Sequence, residues 1–348
     1  MHIVNLHPDM IDWFRGSIPF LHAPISGGEL ISVSPEGEQE WVVVRAVKTR
    51  GSHESSLQIR SRGSDGKGRA TELWIDGNIS KFLQGHNLFG SRDLNSLVYK
   101  TFTKLTRPGS ILEFDLFSAA SAEQAILAGD YEVKSLDINQ IYQLDNDRSV
   151  ESWLYACEMQ AQKRAGRTTS KRGTVYLGQN SRRWGLKFYN KFQEMLKNQP
   201  DTHPHYERLL AFAKGTLRIE LRLLSLELKD LKLTKGKDFT CQKIDELFKE
   251  YMSKMTMTKN AVLIDKNLLD LPRPVQATYQ VWRSGVSCRQ LLTESTFYRH
   301  RKQLLEHSID INFPPSSPDT NNVVPLVRVV EAIPLENPTW AYDLNLIA

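Results

Sequence analysis

The chain has 348 residues, long enough to bury a sizeable core and to hold two domains. Its 45 Lys and Arg against 40 Asp and Glu give a formal charge of +5, which excludes a histone-like binder and leaves any nucleic-acid role to local clusters. Cys157, Cys241 and Cys288 lack the close spacing of a disulfide framework or zinc site, and no stretch is apolar enough to span a membrane. The opening residues carry no signal pattern, so a soluble protein of a reducing cytoplasm is expected.

In chain order, the β-branched and aromatic run from Trp41 to Val47 predicts a strand, and Thr49 to Arg69, full of Gly, Ser and charge, a loop. Thr71 to Ile75 predicts a strand closed by the turn residues Asp76, Gly77 and Asn78. Leu94 to Leu105 reads as a helix, Ile111 to Phe117 as a strand, Ala119 to Ala128 as an Ala-rich helix and Tyr131 to Leu144 as a strand. Ser149 to Ala165 is amphipathic, with Trp153, Leu154, Cys157 and Ala161 near one helical face. Thr174 to Gly178 and Arg183 to Lys191 form a hairpin about the turn Gln179-Asn180-Ser181. Tyr206 to Lys214 predicts a helix, and Thr216 to Leu226 a strand or a strand running into a helix. A basic connector, Lys229 to Lys237, leads into a largely helical remainder that ends near Ser308. There is no literal P-loop, so nothing points to ATP.

Between Ala161 and Lys191 there are nine Lys or Arg and no acid, interleaved with Tyr176, Trp184, Phe188 and Tyr189. Solvated faces usually mix signs, whereas basic groups that neutralise phosphates beside stacking aromatics suit nucleic acid. Arg182 and Arg183, next to the turn, are predicted phosphate contacts. Strand alternation puts Lys187, Tyr189 and Lys191 on one face, with Leu186 and Phe188 turned to the core. A phenol between two ammonium groups has its phenolate stabilised, which is one way to activate a nucleophile; a surface tyrosine lying on lysine stems has the same pattern. Glu194, three residues after Lys191, is placed to accept or relay a phenol proton.

Attack on phosphate commonly uses a hard divalent cation with oxygen ligands. Asp137 and Asn139 share a strand face. Glu220 lies on another strand-like segment with Arg218 and Arg222, where an ordinary ion pair is the alternative. His86, in Gly85-His86-Asn87, could be delivered by a tight turn, with a structural histidine as its alternative. His203-Pro204-His205 reads as a loop leading into the next helix, because proline is a poor strand interior.

Four strings resemble the gene II replication initiators of filamentous bacteriophages. They are Lys81 to Gly90 (KFLQGHNLFG), Tyr189-Asn190-Lys191 with Glu194, Leu217 to Arg222 (LRIELR), and Asn321 to Arg328 (NNVVPLVR). They keep the family's order from 81 to 328, and the match before Lys81 is weak. The resemblance implies an α+β fold, an antiparallel-sheet nuclease core flanked by helices, over residues 1–236. A mainly helical, DNA-binding C-terminal domain would follow over 237–348. It implies nicking of one strand at a duplex phage origin, a 5′-phosphotyrosine intermediate, and later rejoining that starts and ends rolling-circle replication. Tyr189 would be the nucleophile and Lys191 would stabilise phosphate charge. Asp137 and Glu220, with His86 and Asn139, would hold Mg2+ or Mn2+. The family's Arg-hydrophobic-Asp-x-Thr motif falls on Ser135 to Asn139, where Ser135 and Asn139 depart from it and Asp137 is kept. Implied partners are origin duplex, the displaced single strand, a host helicase and a DNA polymerase, in the cytoplasm of a bacterial host, with several copies on the origin.

In the C-terminal part, Cys288 to Leu292, a polar turn and the basic run Thr296 to Leu305 follow helix-turn-helix order. Arg299 and Lys302 would face DNA. A non-catalytic origin or single-strand binder, and a nuclease that hydrolyses with metal-activated water, are the rival functions.

Overall fold

The structure is a computed structural model that describes residues 9–348 apart from 26, 54, 111, 165–167, 172, 199–201, 255–259, 263–270, 285, 307–308, 313–328 and 332. It begins with β1 (Asp9–His22), β2 (Glu29–Val33), β3 (Gln39–Val44), β4 (Val47–Arg50), β5 (Ser56–Arg62) and β6 (Ala70–Asn78). Three helices follow, α1 (Ile79–Gln84), α2 (Leu94–Leu105) and α3 (Leu116–Leu127), then β7 (Glu132–Gln143) and α4 (Asp147–Arg164). The hairpin region holds β8 (Thr168–Lys171), β9 (Thr174–Leu177) and β10 (Trp184–Asn190). After it come α5 (Lys191–Lys197), α6 (Tyr206–Ala213), β11 (Thr216–Leu224), α7 (Ser225–Asp230) and α8 (Cys241–Lys254). The last part has β12 (Asn260–Val262), α9 (Arg273–Arg283), α10 (Cys288–Leu291), α11 (Glu294–Leu305), β13 (Val329–Glu331), β14 (Ile333–Pro334) and α12 (Thr339–Asp343).

The main sheet runs β4-β5-β6-β1-β7-β11-β10-β9-β8, with β14 also on β7, and its described pairings are antiparallel. This is the expected α+β class. Alternation along the strands gives the sheet two faces. One carries Phe14, Ile59, Leu73, Leu136, Ile138, Leu186, Phe188, Ile219 and Leu221. It buries them under α2, α3, α4 and α8 through Val98, Phe102, Ile126, Trp153, Leu247 and Phe248. The register places Arg60, Trp74, Arg15, Asp137, Glu220, Arg222, Lys187 and Tyr189 on the other face.

Several expectations are corrected. The segment 49–69 contains a strand, β5, whose alternation Leu57-Gln58-Ile59-Arg60 is crowded by the Gly and Ser around it. Of the strand expected over Ile111 to Phe117, the described residues Leu112 to Phe117 form none: Asp115 caps α3, accepting from the Ser118 N–H at 2.7 Å. The return strand of the hairpin stops at Asn190, whose side chain accepts from the Gln193 N–H and starts α5 at Lys191. β1, which lies inside the sheet between β6 and β7, is a strand whose bounds were not predicted from the sequence.

A split at 236/237 does not separate two cores. Ile244, Leu247, Phe248 and Tyr251 of α8 belong to the main core. Among the described residues α9, α10 and α11 gather a core of their own, around Val275, Tyr279, Cys288, Phe297 and Leu304. Beyond them the chain returns. β14 pairs with Tyr142 and Gln143 just past the point where β1 leaves β7, and Ala341 and Leu346 pack with Leu88, Phe89 and Leu209. The Asn321–Arg328 string lies outside the described residues.

Candidate active site

Arg218 is the centre of the polar face. It is fully buried, and its guanidinium bonds Asp12 at 2.8 Å, Glu220 at 3.1 Å and the carbonyl of Asn87. Asp12 reaches it because β1 bulges between Ile11 and Trp13, an arrangement that turns an extra side chain toward one face. Burial works against the Arg218 charge, but Tyr189, Asp12 and Glu220 outweigh it and hold the group above its ordinary value.

Tyr189 lies next to Arg218 in register, and Lys187 opposite Glu220. The phenol donates to Glu220 Oε1 at 2.5 Å, and Lys187 Nζ donates to the other carboxylate oxygen at 3.1 Å. The same ammonium sits 4.1 Å from the centre of the Tyr189 ring, a cation–π contact. Burial alone would raise Glu220, but Arg218 and Lys187 pull it down to about 2, so it is ionised at neutral pH. Tyr189 moves the other way: burial and then the Glu220 charge push its phenol well above the ordinary value. This overturns the expectation of a phenolate stabilised between two lysines. The phenol keeps its proton and has a carboxylate waiting for it.

Lys191 does not flank the ring. As the first residue of α5 it is 2% exposed and bonds Asn87 Oδ1 at 2.9 Å and Glu194 at 2.7 Å. Glu194 is occupied by Lys191 and Asn198 and makes no hydrogen bond to Tyr189. Burial lowers the Lys191 ammonium below its usual range despite Glu194. Lys187, 35% exposed in its side chain, is the more accessible of the two lysines. Tyr189 and Lys187 lie in the wall of a cleft of about 860 Å³, with Glu151, Tyr176, Gln193 and Arg273 around it.

The Gln84-Gly85-His86-Asn87 loop delivers Asn87, which also donates to Asp12 at 3.0 Å. Gly85 ends α1 with φ of 86°, and a Cβ there would lie 2.2 Å from the His53 ring. His86 serves structure. Its Nδ1 is held by the Leu88 N–H at 3.3 Å, and its Nε2 lies 2.9 Å from the carbonyl of Leu346. Burial, and then His203, push it down to about 3, so the ring is neutral.

The expected metal ligands do not assemble. His86 is engaged elsewhere. Asp137, which burial pushes up to about 6 against the pull of Arg222, is bonded by Arg222 at 2.9 and 3.1 Å. Glu220 is taken by Arg218, Lys187 and Tyr189. Asn139, opposite Glu220 in register, is buried with neither amide atom bonded within the described structure. Among the described residues no three His, Cys, Asp or Glu side chains are arranged to hold an ion.

Residues 10–242 match the family model for the N-terminal part of the phage replication-associated protein, and residues 263–347 match the model for its C-terminal part. The replication-associated protein of Enterobacteria phage I2-2 is 40% identical over 342 residues, covering 97% of each chain. This chain belongs to the phage replication-associated protein family. A rolling circle replication initiator protein from Geobacillus stearothermophilus aligns with TM-score 0.30 and 13% identity, covering 68% of this chain and 78% of that one.

The N-terminal family match takes in the whole cluster from Asp12 to Arg222. Asp12 and Asn87 were missed as site residues. One is a lone acid in an apolar run, the other part of a string valued for its histidine. The predicted DNA contacts divide. Arg183 bonds Asp230 and, at 3.3 Å, Glu227. Arg182 is exposed beside the turn. Arg299 and Lys302 lie exposed on α11, which follows α10 after two residues. Among the described residues no helix is long and apolar enough to cross a membrane.

Proposed function

We propose that this replication-associated protein nicks and rejoins one strand of DNA at a phage replication origin, through a covalent tyrosine intermediate, to start and end rolling-circle replication. The carrying observation is the Tyr189 phenol bonded at 2.5 Å to a carboxylate that its neighbours keep ionised, in the wall of an open cleft. In the first step Glu220 takes the phenol proton as the phenol oxygen attacks phosphorus. The P–O bond to the 3′ oxygen breaks, and that oxygen takes up a proton and leaves as a hydroxyl. The 5′ side stays esterified to Tyr189. Lys187 faces the charge on the non-bridging oxygens, while Arg218, Asp12 and Asn87 fix the Tyr–Glu pair from beneath. Rejoining runs the step backwards, with a 3′ hydroxyl attacking the phosphotyrosine and the phenol recovering its proton. One phosphoester replaces another, so no ATP is needed. Mg2+ or Mn2+ dependence, implied by the resemblance, finds no assembled ligand set here, and no step is assigned to a metal.

The test uses end-labelled origin duplex on a denaturing gel. The wild-type protein is expected to retain label in detergent, and Tyr189→Phe to bind the duplex normally without retaining any. Nicked DNA with no retained label would instead indicate hydrolysis by water.

A further inference from the structure

On the same face of the sheet a second cleft, of about 490 Å³, opens between β5, β6, β1 and the β9–β10 turn. Arg15, Arg60, Arg62, Lys134 and Arg182 line it together with Trp74, and no acid does. The nearest acids are engaged or exposed: Asp76 pairs with Arg15, Glu132 with Lys134, and Glu72, directly opposite Arg62 in register, is exposed and makes no ion pair within the described structure. Arg60, Arg62 and Arg182 make no ion pair within the described structure. The Arg60 guanidinium lies 4.1 Å from the Trp74 ring centre and that of Arg62 5.5 Å away, and Arg60 Nε is buried without a partner. Burial and then Arg62 press Arg60 below its ordinary value, so holding these cations together is unfavourable until an anion arrives.

We infer that this cleft binds the sugar-phosphate backbone of single-stranded DNA running away from the reacting phosphate. Guanidiniums gathered over an indole supply N–H donors for phosphates beside an aromatic ring. The volume takes a nucleotide or two and not a double helix. Arg182 joins the cleft to the hairpin that carries Tyr189. Tyr189 is five steps along β10 from Trp184, the strand end nearest the β9–β10 turn, about 17 Å at ~3.3 Å per residue. That is about three to five nucleotides, from ~3.4 Å per stacked nucleotide to about twice that when stretched. The inference takes only its direction along the face from the proposed role of Tyr189; the cleft's affinity does not depend on covalent chemistry.

The experiment measures binding of a sixteen-nucleotide oligo-dT strand and of a sixteen-base-pair duplex by anisotropy across a salt series, on the full chain. Losing a single-strand phosphate contact lowers the slope of log affinity against log salt by about 0.7. Arg60→Gln/Arg62→Gln should therefore lower it by about 1.4 on the single strand and leave the duplex slope unchanged. Arg182→Gln, on an exposed side chain of the opposite wall, should lower it by about 0.7 on the single strand. Adduct formation at saturating origin DNA should stay within twofold of wild type. An unchanged single-strand slope in both variants, or an equal loss on the duplex, overturns the inference. Absence of any adduct with the single-strand loss intact would count against Tyr189 and leave the cleft standing.

Discussion

Basic side chains gather at two corners of one sheet face, and the two are built in opposite ways. Around Tyr189 the cations have carboxylate partners: Arg218 with Asp12 and Glu220, Lys187 with Glu220, Lys191 with Glu194. At the other corner Arg60, Arg62 and Arg182 have none among the described residues, and the first two lie over the Trp74 indole. Paired charges fix geometry and protonation, while unpaired ones wait for an anion from outside.

The most severe way to break the first corner is to remove its buried cation. Arg218→Met leaves Asp12 and Glu220 without their guanidinium, and loss of one partner of a buried pair costs about 3–5 kcal/mol. Urea unfolding should show a drop of that size, whereas Arg222→Met, on a half-exposed side chain, should change stability far less.

Glu220→Gln tests the proton acceptor without removing the nucleophile. The amide keeps the shape but cannot take the proton, so adduct formation should slow by about 10²–10⁴-fold with DNA affinity retained. Wild-type adduct formation should also be flat between pH 5 and 8. Glu220 is held down to about 2, so its carboxylate is present above that value and is lost only as pH falls toward it. A rate rising tenfold per pH unit would mean that the phenol ionises beforehand.

Asp137 sharpens the contrast with the metal expectation. Bonded by Arg222 and not by Tyr189 or Glu220, it should tolerate Asn with a loss of adduct rate below about 10²-fold, the lower bound for losing a proton-transfer group. Abolition of nicking at every Mg2+ concentration would make it a ligand after all.

The smallest effect separates two adjacent arginines. Arg182→Gln should lower the salt slope, while Arg183→Gln, whose side chain already bonds Asp230 and Glu227, should not.

Much of the fold is legible in the sequence. Alternation in Leu186-Lys187-Phe188-Tyr189 gave the face, and Leu94 to Leu105 formed the helix its period predicts. What stayed hidden depended on contacts between distant segments. Asp12 acts through a bulge opposite β7, which no local pattern reveals, and its partner Arg218 is 206 residues away. Lys191 reads as a strand neighbour of Tyr189 until Asn190 caps a helix and turns it toward Asn87. His86 has the residue type of a ligand, yet its ring is held by a chain end 260 residues downstream. Residue types can be read along the chain; the partner of each charge required the fold.

Tyr176 stands opposite Lys187 on β9 and lines the same cleft as Tyr189, but only Tyr189 is bonded to Glu220. Mass spectrometry of the peptide trapped on origin DNA decides between them. A nucleotide-bearing peptide containing Tyr189, absent from Tyr189→Phe and present in Tyr176→Phe, is the predicted result; DNA attached to Tyr176, or an adduct in Tyr189→Phe, would contradict it.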